Sequence, residues 1–222
     1  MPFPVKTIYF DVGNTLLFPD RDHILSALGP RPRPSLEQWQ AIERETKRKF
    51  DDLVQQGGTV DHGFWYMFYT RMLQLMEVED EGIRNALVNA TRISSNWRIM
   101  RPGTCEALWR IGKRYRVGII SNADGKILEI LTKCGIAGCV ESITDSGIVG
   151  YEKPHPAIFE AALKEMNAKP GETLYVGDVY AVDYLGATKA GMQAILFDVA
   201  GAYKDRGLPR VESLEELAGK LG

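Results

Sequence analysis

The sequence predicts an α/β fold in which an inserted all-helical segment interrupts a doubly wound parallel sheet. After residue 101, short runs of β-branched and aromatic residues alternate with helical patterns, which is typical of parallel strands joined by helical crossovers. These runs are continuously apolar, as expected when helices cover both faces of a sheet. One more run of this kind opens the chain, and helical periodicity alone follows it as far as residue 98.

The predicted strands and helices of the sheet alternate regularly. The first strand is Thr7–Phe10, and four more are predicted at residues 117–120, 140–143, 173–176 and 194–197. The helices between them are predicted at residues 104–114, 125–133, 156–166 and 183–190. We therefore expect a Rossmann-like core formed by residues 1–18 and 99–222.

The remaining residues, 19–98, are expected to form the helical insert. Ser35 is a suitable N-cap for a first long helix that runs to about residue 56, Asp61 is expected to open a second, and a third is predicted over residues 80–96. The aromatic residues of the insert are interpreted mainly as helix core, with one or two facing a pocket. They are Trp39, Trp65, Tyr66, Phe68 and Tyr69.

The composition excludes several classes of partner. The 222 residues are 45% apolar and 25% charged with a net charge of −2, so neither nucleic acid nor an anionic membrane surface is expected as a partner. No apolar run could span a bilayer, and no signal peptide is recognised. Three scattered cysteines predict buried thiols in a reducing, cytoplasmic protein. No residue pattern indicates an oligomeric state.

Polar residues follow three of the predicted strands. Asp11 follows the first, Ser121 and Asn122 follow the second, and Asp178 follows the strand at 173–176. Because the carboxyl ends of parallel strands meet at one edge, these side chains should converge on one site. Two carboxylates there would repel each other unless a cation lies between them, and carboxylate oxygens suit Mg²⁺. Lys153 is the expected second positive charge beside these carboxylates.

Four segments, in this order, resemble the motifs of the haloacid dehalogenase superfamily, in its branch with a helical cap after the first strand. They are Asp11–Leu16 (Asp-Val-Gly-Asn-Thr-Leu), Ile120–Asn122, Lys153-Pro154 with Pro156 and Phe159, and Gly177–Asp183 with its Gly-Asp-x4-Asp pattern. The resemblance covers essentially the whole chain.

The resemblance implies a role for each matching residue in a hydrolase. Asp11 would be the nucleophile that forms an aspartyl-phosphate, Ser121 would hydrogen-bond the transferring group, and Lys153 would neutralise charge. Asp178 would bind Mg²⁺ together with Asp11 and the backbone carbonyl of Gly13. Asp183 would support the metal or orient Lys153. Asn14 and Asn122 are candidates for substrate binding. The substrate would be a small phosphorylated metabolite.

One position departs from the family's phosphatases. These carry a second aspartate two residues after the nucleophile, as acid and base, and this chain has Gly13 there. Losing such a group typically costs about a hundred- to ten-thousand-fold in rate. A phosphatase that is slow, or selective for good leaving groups, is the first interpretation, with water, His23 or Asp20 supplying the proton.

Two alternatives remain open at this stage. A dehalogenase needs no proton for its halide, but the family's dehalogenases lack the Gly-Asp that this chain retains at Gly177-Asp178. The chain could also have lost turnover and bind a phosphorylated ligand or a protein partner. The three histidines, His23, His62 and His155, match no catalytic triad or metal-binding spacing.

Overall fold

The computed structural model describes residues 4–58 and 63–221 and shows the predicted doubly wound α/β fold. Within these residues, six parallel strands form one sheet in the order β5-β4-β1-β6-β7-β8. The strands of the sheet are β1 (Thr7–Phe10), β4 (Arg116–Ser121), β5 (Ser142–Asp145), β6 (Thr173–Gly177), β7 (Gln193–Phe197) and β8 (Arg210–Val211). Two further short strands, β2 (Phe18–Pro19) and β3 (Trp97–Ile99), pair with each other in antiparallel orientation.

The helices fall into two groups along the chain. Those before β3 are α1 (Arg21–Ile24), α2 (Leu36–Gln55), α3 (Gly63–Leu75) and α4 (Glu81–Arg92). Those after it are α5 (Thr104–Gly112), α6 (Ile127–Lys133), α7 (Ser146–Val149), α8 (Pro156–Glu165), α9 (Leu185–Lys189) and α10 (Leu214–Lys220). Residues 20–96 are called the helical segment below.

The first strand lies at the centre of the sheet, where the strand order changes direction. Phe10 is paired with Ile119 of β4 on one side and with Val176 of β6 on the other. The chain therefore moves outward from β1 first towards β5 and then, from β6, towards β8. In open α/β sheets, ligands bind beyond the carboxyl ends of the strands at such a switch point, so the residues after β1, β4 and β6 form the expected site.

The side chains of β1 alternate between two apolar layers. Ile8 and Phe10 pack with α5, α6 and α10 on one face, whereas Tyr9 packs with α8 and α9 on the other. All three are fully buried. Burial on both faces explains why the strands read as continuous apolar runs and not as an alternating pattern. A third apolar cluster, centred on Trp39 and Phe68, holds the helices of the helical segment together.

The sequence predictions and the structure differ at several elements. Before Ser35, where the sequence analysis predicts no helix, the chain forms α1 and a 3-10 turn at Leu25–Leu28. The strands β2 and β3 are also absent from the sequence predictions. Both strands are too short for a recognisable pattern, so pairing alone defines them. The strand predicted at 140–143 is Ser142–Asp145, and a π-helical turn at Tyr180–Tyr184 precedes α9. Asp61, expected to open the second helix, and His62 lie outside the described residues.

Three further expectations concern the chain as a whole. The prediction of buried thiols is wrong, because Cys105 is exposed and Cys134 and Cys139 are half-buried, although all three are free. None of the helices in the described ranges is both long and apolar enough to cross a membrane. The division into a core of residues 1–18 and 99–222 and an insert of residues 19–98 stays a prediction.

Candidate active site

Asp11 lies directly after β1 and is held there by the sheet. Its backbone N–H donates to the carbonyl of Val176 at 2.8 Å, and its side chain is almost fully buried. The chain then turns sharply, since the N–H groups of Leu16 and Leu17 both donate to the carbonyl of Val12. Asn14 has a φ of 53° in this turn, a left-handed conformation that asparagine tolerates better than most residues.

Lys153 is the central cation of the site. Its Nζ donates to Asp11 Oδ1 at 2.7 Å, to the Tyr175 hydroxyl at 2.7 Å and to Asp183 Oδ1 at 2.8 Å. All three donor hydrogens of the ammonium group are therefore used. Asn122 fixes the backbone of the same lysine, because its amide accepts from Lys153 N at 2.7 Å and donates to Lys153 O at 3.0 Å.

The protonation states of Lys153 and Tyr175 follow from their neighbours. Burial alone would lower the pKa of the Lys153 ammonium, but the carboxylates of Asp11 and Asp183 more than offset it and raise that pKa. Burial, together with the charge of Asp183, raises the pKa of the Tyr175 phenol well above its usual range. The phenol therefore stays protonated and can donate to Asp183 Oδ1 at 3.0 Å.

Three carboxylates meet beside this lysine. One oxygen from each of Asp11, Asp178 and Asp183 lies within 4.8 Å of the others, and all three side chains are buried. Burial raises the pKa of Asp11 to about 7 and that of Asp178 to about 6, although Lys153 opposes the shift at Asp11 and Lys47 opposes it at Asp178. Burial first, and then repulsion between the carboxylates, therefore disfavours full ionisation of the cluster.

The position of Asp183 depends on Gly177. Asp183 Oδ2 accepts from the backbone N–H of Val179 at 2.9 Å, which folds the side chain back over the end of β6. A Cβ on Gly177 would lie 2.5 Å from Asp183 Cγ. Only glycine at this position leaves room for the carboxylate that contacts Lys153.

A second lysine, Lys47 of α2, enters the site from the helical segment. Its Nζ lies 3.0 Å from Glu43 Oε1 and 2.9 Å from Asp178 Oδ2, and its side chain is 1% exposed. Burial alone would lower the pKa of this ammonium, but Asp178 and Glu43 more than offset it and hold the pKa well above its ordinary value. Lys47 therefore carries a full positive charge.

More of α2 docks onto the loops after β6 and β7. Asp51 Oδ1 accepts from the backbone N–H of Ala181 at 2.9 Å. Arg44 and Arg48 donate to the carbonyls of Ala200 and Ala202, at 3.0 and 3.2 Å. These side chains lie on one face of the helix, because they are spaced three and four residues apart.

The charges of the site fit a divalent cation. Within the described ranges, the carboxylates of Asp11, Asp178, Asp183 and Glu43 have ion-pair partners only in the ammonium groups of Lys47 and Lys153. Two negative charges remain when all six groups are ionised. The contact from Lys47 to Asp178 lacks hydrogen-bond geometry, so the buried Oδ2 atom accepts no hydrogen bond from the described residues. Carboxylate oxygens of this kind are typical ligands of Mg²⁺.

The position of the missing second aspartate is covered by an indole ring. A Cβ on Gly13 would lie 3.2 Å from Cζ3 of Trp97 and 3.6 Å from its Cε3 and Cη2. Trp97 Nε1 donates to the carbonyl of Thr91 at 2.7 Å, which fixes the ring. The ring therefore occupies space that a side chain at position 13 would need.

A cavity of about 350 Å³ opens above the cluster, between the sheet edge and the helical segment. Every predicted site residue lines it: Asp11, Gly13, Asn14, Ser121, Asn122, Lys153, Asp178 and Asp183. Of the aromatic residues expected to face a pocket, Trp65 does so. The volume of the cavity is at the lower end of the range for small-molecule sites, which is about 300–1,000 Å³.

The two side chains considered as substitute acids lie elsewhere. Asp20 caps α1 by accepting from His23 N at 3.1 Å, and it also accepts from Arg98 Nε at 3.0 Å. Neither Asp20 nor His23 lines the cavity. The expectation that one of them supplies the proton is therefore wrong, because both belong to the start of α1.

The sequence model of one family matches most of the chain. The family is described as haloacid dehalogenase-like hydrolase, and the match covers residues 5–191. The fold and the strand-end cluster agree with this match. The chain belongs to the haloacid dehalogenase-like hydrolases.

Several relatives within this family carry more specific names. A stretch of 85 residues is 46% identical to a glyceraldehyde 3-phosphate phosphatase of Methanothermobacter thermautotrophicus, and it covers 38% of each chain. A stretch of 160 residues is 28% identical to haloacid dehalogenase-like hydrolase domain-containing protein 3 of Xenopus laevis, over 69% of this chain and 64% of that protein. The chain thus spans less than two thirds of the length of these relatives.

Solved structures share the fold over nearly the whole chain. The magnesium-bound HAD-hydrolase YfnB of Bacillus subtilis has a TM-score of 0.71 at 17% identity, over 99% of this chain and 100% of the other. A dehalogenase has a TM-score of 0.64 at 22% identity, over 99% and 98%. At these identities the likeness shows the fold alone.

Proposed function

We propose that the protein is a Mg²⁺-dependent phosphatase that works through an aspartyl-phosphate on Asp11. The observation that carries the proposal is the 2.7 Å contact between Asp11 and Lys153 inside the three-carboxylate cluster. A buried carboxylate whose charge is offset by a lysine is suited to attack on an anionic group.

The proposed metal ligands are Asp11, Asp178 and the backbone carbonyl of Gly13. Asp183 acts mainly on Lys153, which its carboxylate contacts at 2.8 Å, and supports the metal indirectly. The unrelieved charge of the cluster and the Asp178 Oδ2 atom without a hydrogen bond support this assignment. Bound Mg²⁺ would supply positive charge that keeps Asp11 ionised and attracts the phosphoryl oxygens.

The proposed reaction has two steps, transfer of the phosphoryl group to Asp11 and hydrolysis of the resulting aspartyl-phosphate. Asp11 attacks phosphorus, its new O–P bond forms as the ester P–O bond breaks, and the leaving group departs with the electron pair. Ser121 is proposed to hydrogen-bond the phosphoryl oxygens during this transfer and the charge of Lys153 to neutralise theirs, with Asn14 and Asn122 at the cavity wall. Water then attacks phosphorus, which releases inorganic phosphate and restores the Asp11 carboxylate.

The relatives named glyceraldehyde 3-phosphate phosphatase support a small phosphorylated metabolite as the substrate. The helical segment is proposed to act as a cap that closes the cavity, supported by the docking of Lys47 and Asp51 of α2 onto the loop after β6. The three free cysteines support a reducing, cytoplasmic location.

The test measures phosphate release from an aryl phosphate, an acyl phosphate and glyceraldehyde 3-phosphate, each with Mg²⁺ and with chelator. We expect release that requires Mg²⁺ and is lost in Asp11→Asn. Asp205→Asn is the matched control, because this aspartate is exposed and contacts only Arg48 at 3.3 Å among the described residues. It should retain full activity.

The alternatives predict other results. Halide release from a 2-haloacid in the presence of chelator would indicate a dehalogenase and overturn the proposal. Binding of phosphate with no turnover of any ester would indicate a binding protein. Release that is equal in Asp11→Asn and the native protein would show that Asp11 is not the nucleophile.

A further inference from the structure

The space next to the nucleophile is apolar where an acid would be needed. The six-membered ring of Trp97 lies over Gly13, at 3.2 Å from the position of a Cβ atom there. Gly13 does not have a positive φ, so its backbone would accept a side chain, but the ring would have to move by a few tenths of an ångström to make room for it. Gly13 and Trp97 therefore form a matched pair: the small residue leaves room and the large one fills it.

Trp97 is one end of a continuous row of rings. Measured between ring centroids, Trp97 lies edge-on at 5.5 Å from Trp65. Phe64 follows at 4.9 Å from Trp65, and Phe50 at 5.7 Å from Phe64. All four rings line the cavity that contains Asp11, and we call them the aromatic wall. Such a wall favours a flat, apolar group, because aromatic pairs contribute beyond their buried area.

Two other acidic side chains of the described part of the chain line the cavity. Asp124 is exposed and its Oδ1 accepts from the hydroxyl of Ser94 at 2.5 Å, whereas Glu152 is exposed next to Lys153. Neither is buried beside Gly13, where the family's second aspartate would stand. Among residues 4–58 and 63–221, therefore, no side chain at that place gives a proton to a leaving group that contacts Trp97.

We propose that the aromatic wall binds the leaving group of the substrate, and that this group is planar and weakly basic, as in an aryl, enol or acyl phosphate. The inference rests on the proposed phosphatase function and makes Trp97 its specificity-determining residue. The leaving group departs as an oxyanion that takes its proton from bulk water. The attacking water in the second step gives its proton to solvent, so hydrolysis of the aspartyl-phosphate limits turnover.

The test compares kcat/KM and kcat for a series of aryl phosphates of rising leaving-group pKa, with glycerol 1-phosphate as the alkyl ester. We expect kcat/KM to fall steadily as the pKa rises, and to be about a hundred- to ten-thousand-fold lower for the alkyl ester. Among the best aryl esters kcat should be constant, because they share one phosphorylated intermediate.

Variants of Trp97 separate binding from chemistry. Trp97→Leu should raise KM for an aryl ester about three- to tenfold and leave the alkyl ester unchanged, while Trp97→Phe, which keeps a ring, restores the native KM. The matched control is Trp109→Leu, because Trp109 is an exposed tryptophan on α5. This control should change KM for neither the aryl nor the alkyl ester. Gly13→Asp combined with Trp97→Leu makes room for an acid at position 13. This double variant should reduce the ratio of kcat/KM for aryl esters to kcat/KM for the alkyl ester by at least about tenfold.

Each contrary result has a distinct meaning. No turnover of any ester overturns the phosphatase proposal itself. Turnover with equal kcat/KM for aryl and alkyl esters overturns only the leaving-group inference, as does a Trp97→Leu variant whose aryl KM equals that of Trp109→Leu. A specific loss of alkyl-ester hydrolysis in Asp124→Asn or Glu152→Gln would also overturn it, since the site would then contain an acid.

Discussion

Replacing Lys47 with methionine removes the only ammonium group that contacts Asp178 among the described residues. Lys47 lies within 3.0 Å of both Asp178 and Glu43 and is 1% exposed, so both carboxylates would lose their cation in a buried place. Breaking a buried ion pair from one side typically costs about 3–5 kcal/mol. Since 1 kcal/mol shifts the Tm of a chain of this size by about 2–4 °C, the expected loss is about 6–20 °C.

The assay is thermal unfolding at pH 7.5 with chelator and again with Mg²⁺. Mg²⁺ should raise the Tm of Lys47→Met more than that of the native protein, because it relieves the same carboxylates. Mn²⁺ binding, followed by electron paramagnetic resonance, should be tighter in the variant, because a neighbouring positive charge has gone.

Lys49→Met on the same helix is the matched control. Lys49 is 62% exposed and pairs with Glu45 at 2.8 Å, so its removal should cost less than about 1 kcal/mol. A Lys47→Met variant that melts within about 2 °C of Lys49→Met in chelator would refute the reasoning. Weaker Mn²⁺ binding would show that Lys47 helps to orient Asp178 for the metal.

Other substitutions test the remaining parts of the site. Gly177→Ala should push Asp183 off Lys153 and lower activity about a hundredfold, whereas Gly171→Ala, where a Cβ meets nothing within 4 Å, should not. Lys153→Met should abolish phosphate release and lower the Tm, measured by colorimetric assay and calorimetry, because three buried partners lose their donor. Burial raises the pKa of Asp51 to about 6, so the folded state binds this proton more tightly than the unfolded chain, and stability from this group falls as the pH rises from about 4 to 6. Asp51→Asn keeps an acceptor for the Ala181 amide and removes the buried charge, so it should raise the free energy of unfolding at pH 7.5 by up to about 3 kcal/mol. This gain in the free energy of unfolding should shrink toward pH 4, and an equal gain at both pH values would contradict the prediction.

The sheet and its strand-end residues could be predicted from the sequence because each signal is local. An apolar run that stops at a carboxylate, as at Phe10 and Asp11, identifies both a buried strand and a costly charge at its end. Parallel topology then brings Asp11, Ser121 and Asp178 together without knowledge of any loop. The roles assigned to these residues stay predictions.

Lys47, Tyr175 and Trp97 could not be found in this way, because their roles depend on contacts distant in sequence. Glu43 and Lys47 have the i,i+4 spacing that normally indicates a solvated helix face, and only the docking of α2 buries them. Tyr175 sits within a strand whose pattern shows burial but not which groups its hydroxyl meets. Trp97 precedes the second half of the fold, and nothing local indicates that its ring lies over Gly13, 84 positions earlier in the chain.

The docking of α2 also limits how this protein could diverge. Its polar contacts with the loops after β6 and β7 come from residues 44–51, about two turns of one helix. Each residue advances an α-helix by about 100°, so a single insertion within this stretch would turn half of these side chains away from their partners. Phe64 and Trp65 lie on the next helix, α3, and take no part in these polar contacts. New pocket walls could therefore arise by substitution in α3, while the length of α2 between Arg44 and Asp51 is held constant.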